Sequence, residues 1–550
     1  MITKTFFLAK DPHAIRMRIL RDHGSGGPTE ELVPVGLRLR ADPGTRLAAG
    51  GTVLAGGSPV RVLRLTAAGA RQVAGWFSGT PVPSGVAARR LARRLLDAGI
   101  AHPEWDGCDE SAGLPGAGDV TVVIPVRDRH AELARCLAGL RDAAGDLGAS
   151  QVIVVDDASA DPGAIAAIAA GYGARMVHRA VNGGPGAARN SGLAAADTSL
   201  VAFLDSDCVP LPGWLGGLLP HFADPAVGAV APRIVPHQAG TGWLARYEGA
   251  SSTLDMGARP SIVRPGARVS YVPGAALVVR KSAAGAGFAE GMFVGEDVDF
   301  VWRMSAAGWR VRYEPAAVMG HDHRVRLRAW FSRRRDYGTS AAALEHLHPG
   351  AVRPLYASWW TAGAWAAALS GRPVTAAALT GAATALLARR LSRVTGERWP
   401  LPAIQADNSN WPPPAAQADN SNWPLPAAGP DNSKRRGYAA WTLAARLAGG
   451  GTVAAARPLG SALSRTWWPL AIPAAVAVRR LRLPVAALIL APPLLDWADR
   501  RPPLGPVRYV AARLLDDAAY SLGVWQGCLR HGTIRPLLPV FRPGSRDQRP

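Results

Sequence analysis

The alternation of apolar and polar positions divides the chain into stretches of different character. Residues 35–39, 52–54 and 60–65 are short β-like runs separated by glycine-rich turns. Residues 67–77 and 86–98 follow, with Val73, Trp76, Leu91 and Leu95 on apolar helical faces. Strands and then helices predict a small module over residues 32–108. Ahead of it, residues 1–31 end in Gly24-Ser25-Gly26-Gly27-Pro28 and read as a flexible lead-in, and residues 109–118 behind it read as a glycine-rich linker.

From residue 119 the pattern changes. Apolar runs at 120–126, 152–155, 175–178 and 200–204 alternate with helical patterns at 131–140, 162–170 and 186–196. That order predicts βαβ units and a parallel sheet, an α/β domain over residues 119–350. Such sheets bind ligands outside the carboxyl ends of their strands. The polar clusters of this stretch fall there.

Beyond residue 350 the chain is apolar again. Residues 355–371, 374–388, 466–478 and 483–495 are uncharged, and Arg479, Arg480 and Arg482 split the second pair. Counted between charges, none reaches the roughly 20 residues that cross a bilayer. The stretches 351–398 and 437–550 are therefore expected to hold interfacial or re-entrant helices, or the helices of a buried bundle. Between them, residues 399–436 repeat a unit of 12 residues, with Trp399-Pro400-Leu401-Pro402, Trp411-Pro412-Pro413-Pro414 and Trp423-Pro424-Leu425-Pro426 in register. So short a Pro/Asn/Ser unit reads as an expanded linker rather than a fold.

Charge sharpens this division. The 550 residues carry 62 Lys+Arg against 41 Asp+Glu, a formal net charge of +21, and only Lys4, Lys10, Lys281 and Lys434 are lysines. Residues 1–118 hold 15 basic and 10 acidic side chains, 119–350 hold 23 and 22, and 351–550 hold 24 and 9. The α/β domain is balanced, and the surplus lies in the apolar, Trp-containing last third. Arginines beside apolar helices suit an anionic membrane surface. A nucleic-acid partner is not expected, because no basic stripe with interleaved aromatics accompanies a recognisable binding fold. Cys108, Cys136, Cys208 and Cys528 show neither a disulfide framework nor zinc-ligand spacing, and the apolar run 6–9 is too short for a signal-peptide core. The expected location is the cytoplasm or the cytoplasmic face of the cell membrane.

Three acidic clusters carry the chemistry. Asp156 and Asp157 end the 152–155 run, where carboxylates can accept hydrogen bonds from a ribose or a base. Asn182-Gly183-Gly184-Pro185-Gly186-Ala187-Ala188-Arg189-Asn190 is a glycine-rich turn into a helix, able to face an anion, but it is neither GxGxxG nor a P-loop. Asp205-Ser206-Asp207 directly follows the 200–204 run, and two carboxylates so placed can share a hard divalent cation with a diphosphate. Glu296-Asp297 open a helix, where the dipole keeps a carboxylate ionised and available as a base, or where it serves only as a cap. His321 and His323 stand between the acidic motifs and an arginine run, so His321 could complete metal coordination, His323 less directly.

Taken together, these motifs resemble those of the family-2 glycosyltransferases, whose fold is GT-A. The resemblance spans roughly residues 119–337 and rests on Val123-Ile124-Pro125-Val126-Arg127, Val154-Val155-Asp156-Asp157, Gly186-Ala187-Ala188-Arg189-Asn190-Ser191-Gly192, Asp205-Ser206-Asp207 and Gly295-Glu296-Asp297. It implies that Pro125, Val126 and Arg127, with Asp156 or Asp157, hold a uridine and that Arg189 lies at the nucleotide. It further implies Mg²⁺ or Mn²⁺ on Asp207, and less directly Asp205, with Asp297 as base and Glu296 either orienting it or meeting a sugar hydroxyl. Arg334 or Arg335 would meet the diphosphate.

The flanks extend the resemblance. Residues 62–70 stand where the small winged-helix peptide-recognition domains of the PQQ-chaperone type run a strand into their first helix, although a generic α+β appendage has the same pattern. Such a module ahead of a family-2 transferase, with Tyr337-Gly338-Thr339-Ser340, Asp516-Asp517-Ala518-Ala519-Tyr520 and Gly523-Val524-Trp525 behind it, is similar to the mycofactocin-system glycosyltransferases. That family implies inverting transfer of glucose from UDP-glucose to premycofactocin, a peptide-derived redox cofactor, extended as a β-1,4 oligomer. Two other readings stay open: a membrane-associated transferase acting on a polyprenyl phosphate or an envelope polysaccharide, and a non-catalytic peptide carrier on the same scaffold.

Overall fold

The computed structural model describes residues 2–7, 32–48, 51–105, 114–143, 151–238, 240–395, 441–442 and 444–542. The 12-residue repeat and residues 8–31 lie outside the described residues.

In the first module, strands Ile2–Phe7 (β1), Arg46–Ala48 (β3), Val53–Gly56 (β4) and Arg61–Leu65 (β5) form a sheet in the order β1-β5-β4-β3. Arg38–Ala41 (β2) pairs antiparallel with Ala101–Glu104 (β6). Helix Ala67–Phe77 (α1) starts where the Thr66 hydroxyl accepts from the Gly69 amide, and Val86–Ala98 (α2) stops at Gly99 in the left-handed region, φ 66. The lead-in expected over 1–31 needs one correction. Residues 2–7 pair antiparallel with β5 as an edge strand, because the ladder of β5 supplies the partner that so short a run cannot announce by itself.

Nine strands form the central sheet. Their order is Cys208–Pro210 (β11), Arg310–His321 (β15), Val227–Pro236 (β12), Ala276–Arg280 (β14), Leu200–Leu204 (β10), Val120–Val126 (β7), Val152–Asp157 (β8) and Arg175–Arg179 (β9), with Ser261–Val263 (β13) on β15. β10, β7, β8 and β9 run parallel, and β14 lies antiparallel to β10. Every residue of β7, β8 and β10 is buried, as strands covered on both faces require. One core packs Ile124, Leu133, Leu137 and Trp214 on one face, and a second packs Val155, Phe203, Phe300 and Trp302 on the other. The helices that matter below are His130–Ala143 (α3), Pro162–Gly171 (α4), Gly184–Ala195 (α5), Trp214–Leu218 (α6), Trp243–Ser251 (α7), Glu296–Ala306 (α8) and Leu327–Leu347 (α9). This is a GT-A-like α/β architecture. Because the four parallel strands share a direction, their carboxyl ends bring residues 126, 156–157 and 205 to one edge.

The first module is fastened to this sheet by ion pairs. Arg93 of α2 donates to both oxygens of Asp224 at 2.7 and 2.6 Å, and both groups are buried. Arg310 of β15 reaches Asp97 at 3.1 Å, and Arg268 reaches Asp42 at 3.0 Å.

The last third is mostly helical. Trp359–Leu369 (α10), Pro373–Thr395 (α11), Gly450–Ala454 (α12), Ala456–Arg465 (α13), Trp468–Ala477 (α14), Arg482–Arg500 (α15) and Pro506–Arg530 (α16) follow α9. α16 lies backbone to backbone on α9: a Cβ at Gly338 would stand 2.1 Å from the Tyr520 carbonyl oxygen. The expected lengths need a second correction. The run Arg479–Arg500 is helical over 22 residues, and an 18-residue window within it has a mean hydropathy of 1.4, long and apolar enough to cross a membrane by length and composition. A count between charges missed it because the helix continues through Arg482 at one end and Asp496 at the other.

Candidate active site

The site is built where β10 ends and α8 begins. Gly295 turns the chain into α8 at φ 85, which a side chain would resist, and a Cβ there would press on Ser340 of α9 at 2.9 Å. Glu296, Asp297 and Asp299 then fill the first turn, where the helix dipole favours negative charge. Asp297 is half-buried and accepts from the Gly274 amide at 2.8 Å, so its carboxylate is aimed from a second strand loop. Asp299 is not at the site: it holds Arg303 and His348 at 2.8 Å each.

Arg189 ties the acidic motifs together. From α5 its guanidinium donates to Glu296 Oε1 at 2.8 Å and to Asp205 Oδ1 at 2.6 Å. It is 2% exposed. Burial opposes its charge, but Asp205, Glu296 and Asp297 outweigh burial and hold it protonated. Arg189, expected at the nucleotide, is placed by the structure as a buried bracket between Asp205 and Glu296. Burial and the charge of Asp297 push the Glu296 carboxyl above its ordinary value, against the pull of Arg189.

Asp207 faces Arg129, with which it forms a short ion pair, and His321, whose Nε2 lies 3.4 Å away. Burial would raise the Asp207 carboxyl, yet His321 and Arg129 together hold it below the ordinary range. His321 is correspondingly raised by Asp207 against its own burial. Asp207, Cys208 and His321 offer ligand atoms within 4.8 Å of one another. The Cys208 thiol donates to the Ala275 carbonyl and is pushed well up by burial, so it stays protonated. A carboxylate and an imidazole with Asp205 alongside suit a hard divalent cation, and the residues fit Mg²⁺ or Mn²⁺. His323 is not part of that group: its Nδ1 lies 3.1 Å from His321 Nδ1, and burial and the His321 charge lower it to about 4.

The aspartate pair of β8 closes the carboxyl end of that strand. Asp156 accepts from the Ser159 amide at 3.1 Å and from His178 Nδ1 at 2.9 Å. Asp157 accepts from Arg179 and from the amides of Gly183 and Gly184 at 2.8 to 3.0 Å, which fixes the start of α5. Both aspartates are buried. Pro125 and Val126 are buried at the end of β7 beside Asp156, and Arg127 is exposed.

Three consecutive arginines of α9 point three ways, because a helix turns by about 100° per residue. Arg334 is buried in the seam with α7 and α16, paired to Glu248 and 3.1 Å from Asp516. Arg335 is exposed beside Asp336. Neither therefore reaches the diphosphate position expected of it. Arg333 does face that side: it lies 4.9 Å over the Tyr337 ring and is raised, against burial, by Tyr337, Asp205 and Glu296. The Arg333/Tyr337 spacing of four was a legible signal. The roles of Arg129 and Gly274 had no local one.

Comparison with known proteins decides the family. The Glycosyl transferase family 2 profile matches residues 121–284. The pre-mycofactocin glycosyltransferase of Mycobacterium tuberculosis is 38% identical over 524 residues, which is 94% of this chain and 100% of that protein. The chain belongs to the family-2 glycosyltransferases of the mycofactocin pathway. The transferase also matches the succinoglycan biosynthesis protein ExoU of Rhizobium meliloti, 36% identical over 104 residues, 18% of this chain and 30% of that one. Among solved structures, the mannosyltransferase PcManGT of Pyrobaculum calidifontis, in complex with GDP-Man and Mn²⁺, is similar at 20% identity and TM-score 0.33, covering 51% of this chain and 80% of that one. Glucosyl-3-phosphoglycerate synthase of Mycobacterium tuberculosis, with Mn²⁺ and UDP, stands at 21% identity and TM-score 0.30, covering 43% and 82%.

Proposed function

We propose that this transferase moves glucose from UDP-glucose to premycofactocin with inversion, and extends it as a β-1,4 oligomer. The observation that carries the reading is the convergence of Asp205, Glu296 and Asp297 about Arg189, beside Asp207. A full-length relative whose name gives pre-mycofactocin as its acceptor supports the choice of acceptor. The donor's uridine would lie at the ends of β7 and β8, against Pro125, Val126 and exposed Arg127, with Asp156 acting on it through His178. Asp207, His321 and Asp205 would hold Mg²⁺ or Mn²⁺, which supplies positive charge to the donor diphosphate.

Asp297 takes the proton of the acceptor hydroxyl. That oxygen forms its bond to the anomeric carbon on the face opposite the diphosphate, and the carbon–oxygen bond to the diphosphate breaks, so UDP leaves with the electron pair. Arg333 stabilises negative charge on the departing oxygens. Glu296, held by Arg189, positions the base.

The last third of the chain supports a membrane surface as partner, at the cytoplasmic face. Leu470, Ile472, Val476 and Leu483 are exposed in the same stretch of chain as exposed Arg479, Arg480 and Arg482, and Trp359 of α10 is exposed as well. The first module would present the peptide-derived acceptor in the manner of a winged-helix recognition domain. The helix Arg479–Arg500 favours one second reading, transfer to a polyprenyl phosphate. Incubating the purified chain with UDP-glucose, Mn²⁺ and each acceptor decides between them: a hexose added to premycofactocin by mass supports the first, and labelling of the lipid alone refutes it.

A further inference from the structure

Around Tyr337, whose ring carries Arg333, stand side chains with no part in the chemistry described so far. Tyr271 lies three residues before Gly274, whose amide aims Asp297. Asp297, Arg465, Tyr337 and Tyr520 all act on its phenol electrostatically, and α9, which carries Tyr337, meets the start of α8 where a Cβ on Gly295 would press on Ser340. Tyr337 comes from α9, Tyr520 from α16 and Arg465 from the last turn of α13, so two of the four belong to the helical last third. Arg465 lies 4.5 Å over the Tyr520 ring, on the outer side of an ion pair to Asp517 at 3.5 Å. The helices that carry Tyr337 and Tyr520 cannot drift apart in register, because Gly338 and Gly523 let their backbones touch.

All three tyrosines are half-buried rather than sealed. Among the described residues, neither the Tyr271 nor the Tyr520 phenol has a hydrogen-bond partner. Burial, Tyr520 and Asp297 push the Tyr271 phenol up to about 12, so it remains a donor at neutral pH. Two phenols without a partner, one of them under a stacked guanidinium, match a ring that carries hydroxyls around an apolar face.

Resting on the proposed transferase reading, we infer that Tyr271, Tyr337, Tyr520 and Arg465 form the acceptor subsite, and that it grips a hydroxyl-bearing ring. The last third of the chain thereby completes the active site. The aglycone and a terminal glucose are two sources of such a ring, and the acceptors tested separate them.

The test uses the full chain with Tyr520→Ala, Tyr520→Phe and Arg465→Ala. Transfer is measured on premycofactocin, on its monoglucosylated form and on a polyprenyl phosphate, and UDP affinity by calorimetry reports folding and the donor site. The expected result is an acceptor KM raised about tenfold in both alanine variants, less in Tyr520→Phe, with UDP affinity within twofold of the parent. A larger rise on premycofactocin assigns the aglycone, and a larger rise on the glucosylated form assigns the sugar. Unchanged KM in both alanine variants overturns the subsite, whichever acceptor is used. If only the lipid is glycosylated, the acceptor assignment falls and the same KM comparison on the lipid still judges the subsite. Should no acceptor turn over, saturation-transfer NMR with p-nitrophenyl β-glucoside reads it directly, and equal signals from parent and variants refute it.

Discussion

Replacing Arg189 by methionine is the sharpest probe of the site's construction. The side chain keeps an apolar stem and loses its guanidinium, which removes two charge-assisted bonds of 2.8 and 2.6 Å and leaves Glu296 and Asp205 facing one another with Asp297 nearby. Removing one partner of a buried ion pair costs about 3–5 kcal/mol. For a domain of this size each kcal/mol moves Tm by about 2–4 °C, so a fall of about 6–20 °C is expected. The pH dependence follows from Glu296, whose carboxyl is already above its ordinary value of 4.5 and rises further without Arg189. Between the ordinary and the raised value the folded chain holds a proton that the unfolded chain has lost, so stability falls as pH rises. The deficit against the parent should widen from pH 5 to pH 8, and Glu296→Gln in the same chain should recover part of it. Scanning calorimetry at both pH values measures this. A variant within 2 °C of the parent, or a deficit equal at both pH values, refutes the bracket assigned to Arg189.

Three further outcomes are expected. Asp297→Asn should lower kcat by about 10²–10⁴-fold, the range of a lost general base, while UDP affinity by calorimetry stays within twofold. Arg333→Ala should lower kcat/KM for the donor by about 10- to 100-fold, a loss of about 1.4–2.7 kcal/mol of transition-state stabilisation, whereas Arg335→Ala should change it by less than about twofold. Equal effects from the two would contradict the α9 register. Gly523→Ala places a Cβ 1.9 Å from the Arg335 carbonyl oxygen and should cost about 1–3 kcal/mol, read as a lower denaturation midpoint.

Much of the scaffold was legible in the order of residues. The helices at 67–77 and 86–98 and the strands at 120–126 and 200–204 stand where periodicity put them, because each signal is contained within the element. The acidic motifs were legible for the same reason, since each follows a buried strand or opens a helix. Assignments that depended on direction fared differently. Asp156 and Asp157 were readable as strand-end acids but not as buried ones, and three adjacent arginines gave no sign of which would face the carboxylates.

What the sequence determined by itself is therefore the succession of elements, the chemistry available at each strand end and the family. What only the tertiary structure decided is which of those groups meet. Arg189 and Glu296 are 107 residues apart and bonded, and Tyr247 bonds to Asp516 across 269. The physical reason is range. Backbone sterics and side-chain periodicity act over one turn or one strand and leave their mark locally, whereas an ion pair is chosen by how the sheet and helices pack, which no short window of sequence contains.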